Sequence, residues 1–301
     1  MTTPMARGIR TAQTAILVNA VLAMTKLVAG VVGNTYALVA DAVESTADVF
    51  GSLVVWRGLQ LAGREADDEY PFGYGKAEAL AAAIVALILM VSALLITVQA
   101  AREIRTPHLT PAPWTLLVLV GVVGAKAALA RHVGSVGNEI GSRAVQADAW
   151  HHVSDAVTSA AAFIGIGIAL LGARYRGGSG WESADDWGAL VAAAVIGVNG
   201  VLLLRPAVQD LMDRAPGKEV VDAVRRAAES VPGVLATEKL LVRRAGLCFR
   251  VTLHVQASAR LTLHEAHVLS GMVKGAIRGS EPRVEYVLVH MEPYEGTSEP
   301  A

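Results

Sequence analysis

The chain of 301 residues contains a single cysteine, Cys248. That excludes an internal disulfide and any thiolate metal cluster. A basic surplus is also missing. The formal net charge is −1, so there is no global positive field for nucleic acid. Charged residues make up only 18% of the chain against 53% hydrophobic, and most of them lie outside the apolar runs. That composition reads as a polytopic membrane protein with a soluble part. No A-x-A cleavage site follows the first apolar run, so the run reads as a retained span and not a removed signal peptide. No H-E-x-x-H motif occurs, which argues against a zinc hydrolase.

What is present is a series of apolar runs at residues 14–32, 36–61, 77–101, 114–130, 144–172 and 187–204. Each approaches or exceeds the ~20 residues needed to cross a hydrocarbon core. Pro107, Pro111 and Pro113 mark one loop, and the Gly/Ser-rich stretch 131–143 reads as another. Six spans put both termini on one side. Arg7, Arg10, Arg64, Lys76, Arg131, Arg143 and Arg205 fall on that side, against Arg102, Arg105, Arg174 and Arg176 opposite. The excess predicts cytoplasmic termini in an inner or plasma membrane.

Past Pro206 the pattern changes. Residues 218–229 have helical spacing, with Val220, Val221 and Val224 on one face, and Pro232-Gly233 ends the helix. Residues 237–244 and 248–256 alternate as a hairpin about Ala245-Gly246. A helix over 262–277 and a strand over 284–290 complete an α-β-β-α-β order. The sequence therefore predicts a transmembrane domain at 1–206, a cytoplasmic α+β domain at 207–293 and a disordered tail at 294–301.

Two polar stretches interrupt the apolar runs. Asp41, Glu44 and Asp48 recur at i, i+3 and i+7, and so do Asp148, His151 and Asp155 about a hundred residues later. Such spacing puts each trio on one helical face. Ionisable groups at membrane depth cost ~2.5–3.5 kcal/mol each on insertion scales, and a divalent cation is a natural compensating partner. Glu44/Asp48 and His151/Asp155 are each one turn apart. Two helices packed face to face would gather three carboxylates and one imidazole, a donor set suited to Zn2+ and tolerant of Fe2+, Mn2+ or Co2+. Asp41, Asp148 and His152 sit a turn away or on a flank, and are read as supporting or packing groups. Lys26 and Lys126 read as counter-charges within the bundle or as snorkelling chains. The bland alternative, structural hydrogen bonds only, fits one ionisable residue better than two matched pairs.

The segments ALVADAVESTADVFGSL, DDEYPFGYGKAEALAA, ADAWHHVSDAVTSAAAFIG, VPGV and HEAHVLS…VHMEP resemble the cation diffusion facilitator family of divalent-metal/proton antiporters, in the right order and over nearly the whole chain. The resemblance implies a transport site at Glu44, Asp48, His151 and Asp155, the same four residues. Glu44 departs from the family's usual Asp or His. Tyr70 and Tyr74 stand where the family's loop has His, so a loop metal site is not expected despite Asp67 and Asp68. The resemblance also implies a ferredoxin-like cytoplasmic domain that binds metal at a homodimer interface. Its ligands would fall on His254, His267, His290 and Glu292, with Glu238 where some relatives have His. It further implies a charge interlock across the dimer between Lys76 and Asp213. His264 matches no family ligand. No organic cofactor is expected. The partners expected are a divalent metal, protons, lipid and a second copy. A membrane-anchored metal sensor and an intramembrane metal hydrolase are the rival readings.

Overall fold

The computed structural model describes residues 3–32, 36–104, 115–176 and 184–295, with some side chains inside the helices also outside the description. The chain forms two compact units, Met1–Val208 and Gln209–Ala301.

The first unit is helical: α1 (Pro4–Val32), α2 (Tyr36–Ala62), α3 (Lys76–Glu103), α4 (Thr115–Ile140), α5 (Arg143–Arg176) and α6 (Ala184–Leu211). At 1.5 Å per residue these helices are about 40–50 Å long. Helix α1 packs on α2 and α4, α4 on α5, and α3 on α2 and α5. Two boundaries differ from the sequence expectation. Residues 131–140, expected as loop, continue α4, because isolated Gly and Ser do not end a helix that packs along its length. Helix α6 runs through Pro206 to Leu211, so the composition break at Pro206 is not a break in the helix.

Helix α3 shows the physical character of the unit. Its buried side is mostly small, with Ala79, Ala81, Ala82, Ala83, Ala86 and Ala93 beside Val85 and Leu89. Its exposed side is large, with Leu80, Leu87, Val91, Leu94 and Val98 at helical spacing. A helix in water turns its large apolar residues inward. The inverse arrangement suits a lipid surround, where small residues let helices approach closely. Gly58 shows how close: a Cβ there would lie 2.4 Å from Ala81 Cβ, so α2 and α3 meet backbone to backbone. Among the described residues, Lys76–Arg102 and Ala193–Leu211 are long and apolar enough to cross a membrane.

The second unit contains α7 (Lys218–Glu229), β1 (Ala236–Ala245), β2 (Cys248–Ala257), α8 (Leu263–Ser280) and β3 (Val284–Pro293). This is the α-β-β-α-β order expected of the ferredoxin-like domain. Strands β1 and β2 pair antiparallel, turning at Gly246 with φ +65°. Strands β2 and β3 pair parallel, with α8 as the crossover. Strand β2 alternates strictly: Phe249, Val251, Leu253 and Val255 are buried against α7 and α8, while Arg250, Thr252, His254 and Gln256 line the other, half-exposed face. Thr262 and Glu265 form a reciprocal cap at the start of α8. The Thr262 backbone N–H donates to Glu265 Oε2 at 2.7 Å, and the Glu265 N–H donates to Thr262 Oγ1 at 3.2 Å.

Candidate metal sites

In the helical unit α5 carries the second polar trio. His151 is buried, and the Asp155 side chain is 19% exposed. The side chains of Asp41, Glu44 and Asp48 lie outside the described residues, as does that of Lys26. The backbone of α2 is described, and Gly51 fixes its approach to α5. A Cβ on Gly51 would lie 3.6 Å from both Cδ2 and Nε2 of the His151 ring. Asp48 is one turn before Gly51 on α2 and Glu44 two turns before it. Ala at 51 makes ordinary contact with the ring, whereas Leu has no room. Gly51→Ala is therefore expected to keep metal transport within about threefold of the parent and Gly51→Leu to abolish it, as overpacking forces helices apart. Vesicle uptake of Mn2+ or Zn2+ checks this, and a Gly51→Leu protein that transports normally would mean α2 does not close on His151.

A buried polar chain surrounds this point and links four helices. Lys126 on α4 is 1% exposed. Its Nζ donates to Asp155 Oδ2 at 2.8 Å and to Asn19 Oδ1 of α1 at 3.1 Å. Asn19 Nδ2 lies 3.5 Å from Ser52 Oγ of α2, and Ser52 Oγ donates to Asp148 Oδ1 at 3.0 Å. The two ring nitrogens of His152 lie 3.7 Å from Asp148 and 3.9 Å from Asp155, so the chain closes on α5. Asp148 and His152 are fully buried. They sit a turn or less from His151 and Asp155, in position to orient α5. Sequence reading did not single out Asn19, which as a lone polar residue in an apolar run carries no periodic signal, and it took Ser52 only as one of the small α2 residues that allow close helix approach.

The polar end of α5 is held by α3. Ser142 caps α5, its Oγ accepting from Val145 N–H at 3.3 Å and donating to Glu78 Oε1 at 2.6 Å. Glu78 Oε1 also receives the Ala144 N–H at 3.4 Å. Glu78 is 1% exposed, and α5 has no acidic residue in its own first turn. In the loop before α3, Tyr74 OH donates to Asp67 Oδ2 at 2.7 Å and the Tyr70 N–H to Asp67 Oδ1 at 2.7 Å. These bonds hold the Asp67 carboxyl below the usual carboxylate range. Their contribution is complete at neutral pH and is lost only as acid protonates that group.

The second unit gathers His254, His290 and Glu292, whose candidate ligand atoms lie within 4.8 Å of one another. His254 Nδ1 is 2.7 Å and His290 Nε2 3.6 Å from Glu292 Oε1. Strand register explains the cluster: His254 pairs with His290 across β2–β3, and Glu292 is two residues further along β3. Glu238 pairs with His254 from β1 but receives Gln256 Nε2 at 3.3 Å. It borders the cluster without joining it. His267 is exposed on α8, whose inner residues pack on the opposite sheet face, and it is not in the cluster. Two imidazoles and a carboxylate are a donor set that fits a divalent transition metal with further positions open. Asp213 Oδ2 accepts from Arg243 Nη1 at 2.9 Å within this unit. Lys76, its expected partner, belongs to the other unit.

Residues 12–212 match the model of the cation efflux transmembrane domain, and residues 216–294 that of the cytoplasmic domain of cation efflux proteins. The chain belongs to the cation efflux, or cation diffusion facilitator, family. Its members are membrane transporters and not enzymes, which removes the hydrolase reading. Similar curated proteins include the manganese efflux system protein MneP of Bacillus subtilis, 29% identical over 93% of this chain and 94% of that protein. The magnetosome protein MamM of Paramagnetospirillum magneticum is 30% identical over 95% of this chain and 89% of that protein. A solved MamM-CTD variant is 28% identical and covers 26% of this chain and 98% of that one, with a TM-score of 0.26.

Proposed function

We propose that this cation efflux protein exports a divalent first-row transition metal from the cytoplasm in exchange for protons. It works as a homodimer with six membrane-crossing helices and both termini in the cytoplasm of an inner or plasma membrane. Residues 1–206 form the transport domain and 207–293 the metal-binding, dimer-forming domain. The observation that carries the reading is the seating of α2 Gly51 on His151. Asp48 and Glu44 precede Gly51 on α2 by about one and two helical turns, and that spacing supports reading them as the partners of His151 and Asp155. Metal binds such groups only when they are deprotonated, so protons and metal compete for one site. Asp41, Asp148 and His152 support the ligands.

The cargo reading has two branches. Four N/O donors suit tetrahedral Zn2+. Three oxygen donors against one nitrogen form a harder set that suits Mn2+, with Fe2+ and Co2+ between. The similarity to a manganese efflux protein favours the second branch for this chain. The test is metal uptake into proteoliposomes under an imposed pH gradient, with Mn2+, Zn2+, Fe2+ and Co2+ in competition. Uptake should follow the gradient and reverse with it. Uptake that ignores the gradient sinks proton exchange.

The cytoplasmic cluster is proposed as a resident metal site at His254, His290 and Glu292, with Glu238 at its border, His267 outside it, and the Lys76–Asp213 interlock tying the copies together. Metal at 100 times its Kd should stabilise this domain by about 2.7 kcal/mol through linkage. Melting curves of the full chain with Zn2+ or Mn2+ check this. A Glu292→Ala protein that gains as much stability from metal as the parent removes the cluster from the account.

A further inference from the structure

We propose that Lys126 is a built-in stand-in for the cargo. Its ammonium holds Asp155 while the carrier is unloaded, and the arriving metal moves it onto Asn19. The inference rests on Asp155 being a transport ligand, as argued above.

Lys126 is 1% exposed, and its Nζ lies 2.8 Å from Asp155 Oδ2 and 3.1 Å from Asn19 Oδ1. A buried ammonium persists only when paired. Here the pairing draws on the carboxylate charge that the metal needs. An ammonium and a divalent ion on one carboxylate share a single negative charge and repel each other, so each weakens the other's hold on Asp155. Asn19 gives the displaced group a place to go. A lysine ammonium is a point charge with three donors on a flexible four-carbon stem, and it can let go of Asp155 while keeping Asn19. Asn19 is itself held, with its Nδ2 3.5 Å from Ser52 Oγ and Ser52 donating to Asp148 at 3.0 Å. The parking acceptor is thus tied to α2 and α5, the two helices that bear the ligands.

Two consequences follow for the carrier. The unloaded site keeps a positive charge at Asp155, so its return step does not carry that carboxylate uncompensated. The loaded site is weakened by a cation a few ångströms away, which favours release. Lys126 therefore lowers affinity and raises turnover. A purely structural lysine would do neither, because removing it would loosen the bundle and weaken binding.

The test uses the full-length chain in lipid nanodiscs, in a His254→Ala, His290→Ala, Glu292→Ala background that removes the cytoplasmic cluster. Mn2+ and Zn2+ are the probes in equilibrium dialysis, and proteoliposome uptake gives KM and kcat. Lys126→Gln is expected to bind metal about tenfold more tightly, since two like charges at this range repel strongly in a low-dielectric site, and to lower both KM and kcat. Asn19→Ala, which removes the neutral acceptor at 3.1 Å, is expected to bind metal more weakly. Opposite shifts from two neighbours in one hydrogen-bonded chain are the signature. A Lys126→Gln protein that folds and binds metal no more tightly than the parent overturns the proposal. So does an Asn19→Ala protein that binds as tightly as the parent, and this arm stands even if Lys126→Gln fails to fold. Asp155→Asn serves as the control. If it binds metal like the parent, the transport-site reading fails, whatever Lys126 does.

Discussion

Replacing Asp155 by Asn is expected to lower metal transport by about a hundredfold or more, the upper end of what loss of even an outer partner costs a metal site. The substitution keeps the side chain's volume and removes its charge. The metal loses an anionic ligand at the centre of the proposed site. A second effect comes with it. Lys126 Nζ sits 2.8 Å from Asp155 Oδ2, and Lys126 is 1% exposed. Breaking a buried pair from one side leaves the other charge uncompensated and costs about 3–5 kcal/mol. Asp155→Asn should therefore lose both transport and stability, and the two losses can be separated. The double variant Asp155→Asn, Lys126→Met removes both charges together, and burying apolar groups in place of an ion pair is often neutral. It should recover most of the melting temperature and none of the transport. Recovery of transport by the double variant would mean that Asp155 serves the fold and not the metal.

Much of the architecture could be read from the amino acids, for reasons that also explain what could not. Helix α7 was expected at 218–229 and lies at Lys218–Glu229, because its apolar stripe and its Pro232-Gly233 stop are local signals. Strand β2 was equally plain from its alternation. The family resemblance implied His254, His290 and Glu292 as ligands and i, i+2 spacing puts the last two on one face of β3, while the pairing of His254 with His290 is a matter of strand register. His267, implied with them, did not join the cluster, because the face on which a helix docks against a sheet is a tertiary fact. Spacing put His151 and Asp155 on one side of α5, and small residues including Gly51 marked α2 as able to approach closely, but that Gly51 meets the His151 ring is a tertiary fact. Lys126 could be read as a counter-charge but not given a partner. The connections Lys126–Asn19–Ser52–Asp148 and Glu78–Ser142 join residues 33 to 107 positions apart. Local periodicity is blind to such contacts. The stretch 131–140 misled for the opposite reason: its Gly and Ser are loop-like in isolation, yet the helix continues through them.

Glu78→Ala is expected to destabilise the helical unit by about 2–3 kcal/mol, the range for a buried charged acceptor whose donors are left unmatched. The amino end of α5 shows why. The first turn of a helix exposes unpaired N–H groups and a partial positive charge. Ser142 satisfies Val145 N–H, but α5 brings no acid of its own to its first turn. Glu78 supplies one from α3, accepting from both Ser142 Oγ and Ala144 N–H, in a site from which water is excluded. Removing it leaves two buried donors and a void between α3 and α5. His151 is only two turns further along α5, so a frayed start also disturbs the metal site. Glu78→Ala should raise the KM for metal as well as lower the melting temperature. Glu78→Gln keeps an acceptor oxygen and should lose less than half as much stability. Ser142→Ala removes the shared hydroxyl, and because Glu78 and Ser142 act as one cap, the double variant should lose clearly less than the sum of the two single losses. Additive losses in that cycle, or a Glu78→Ala protein as stable as the parent, would show that α5 is held at its start by packing alone.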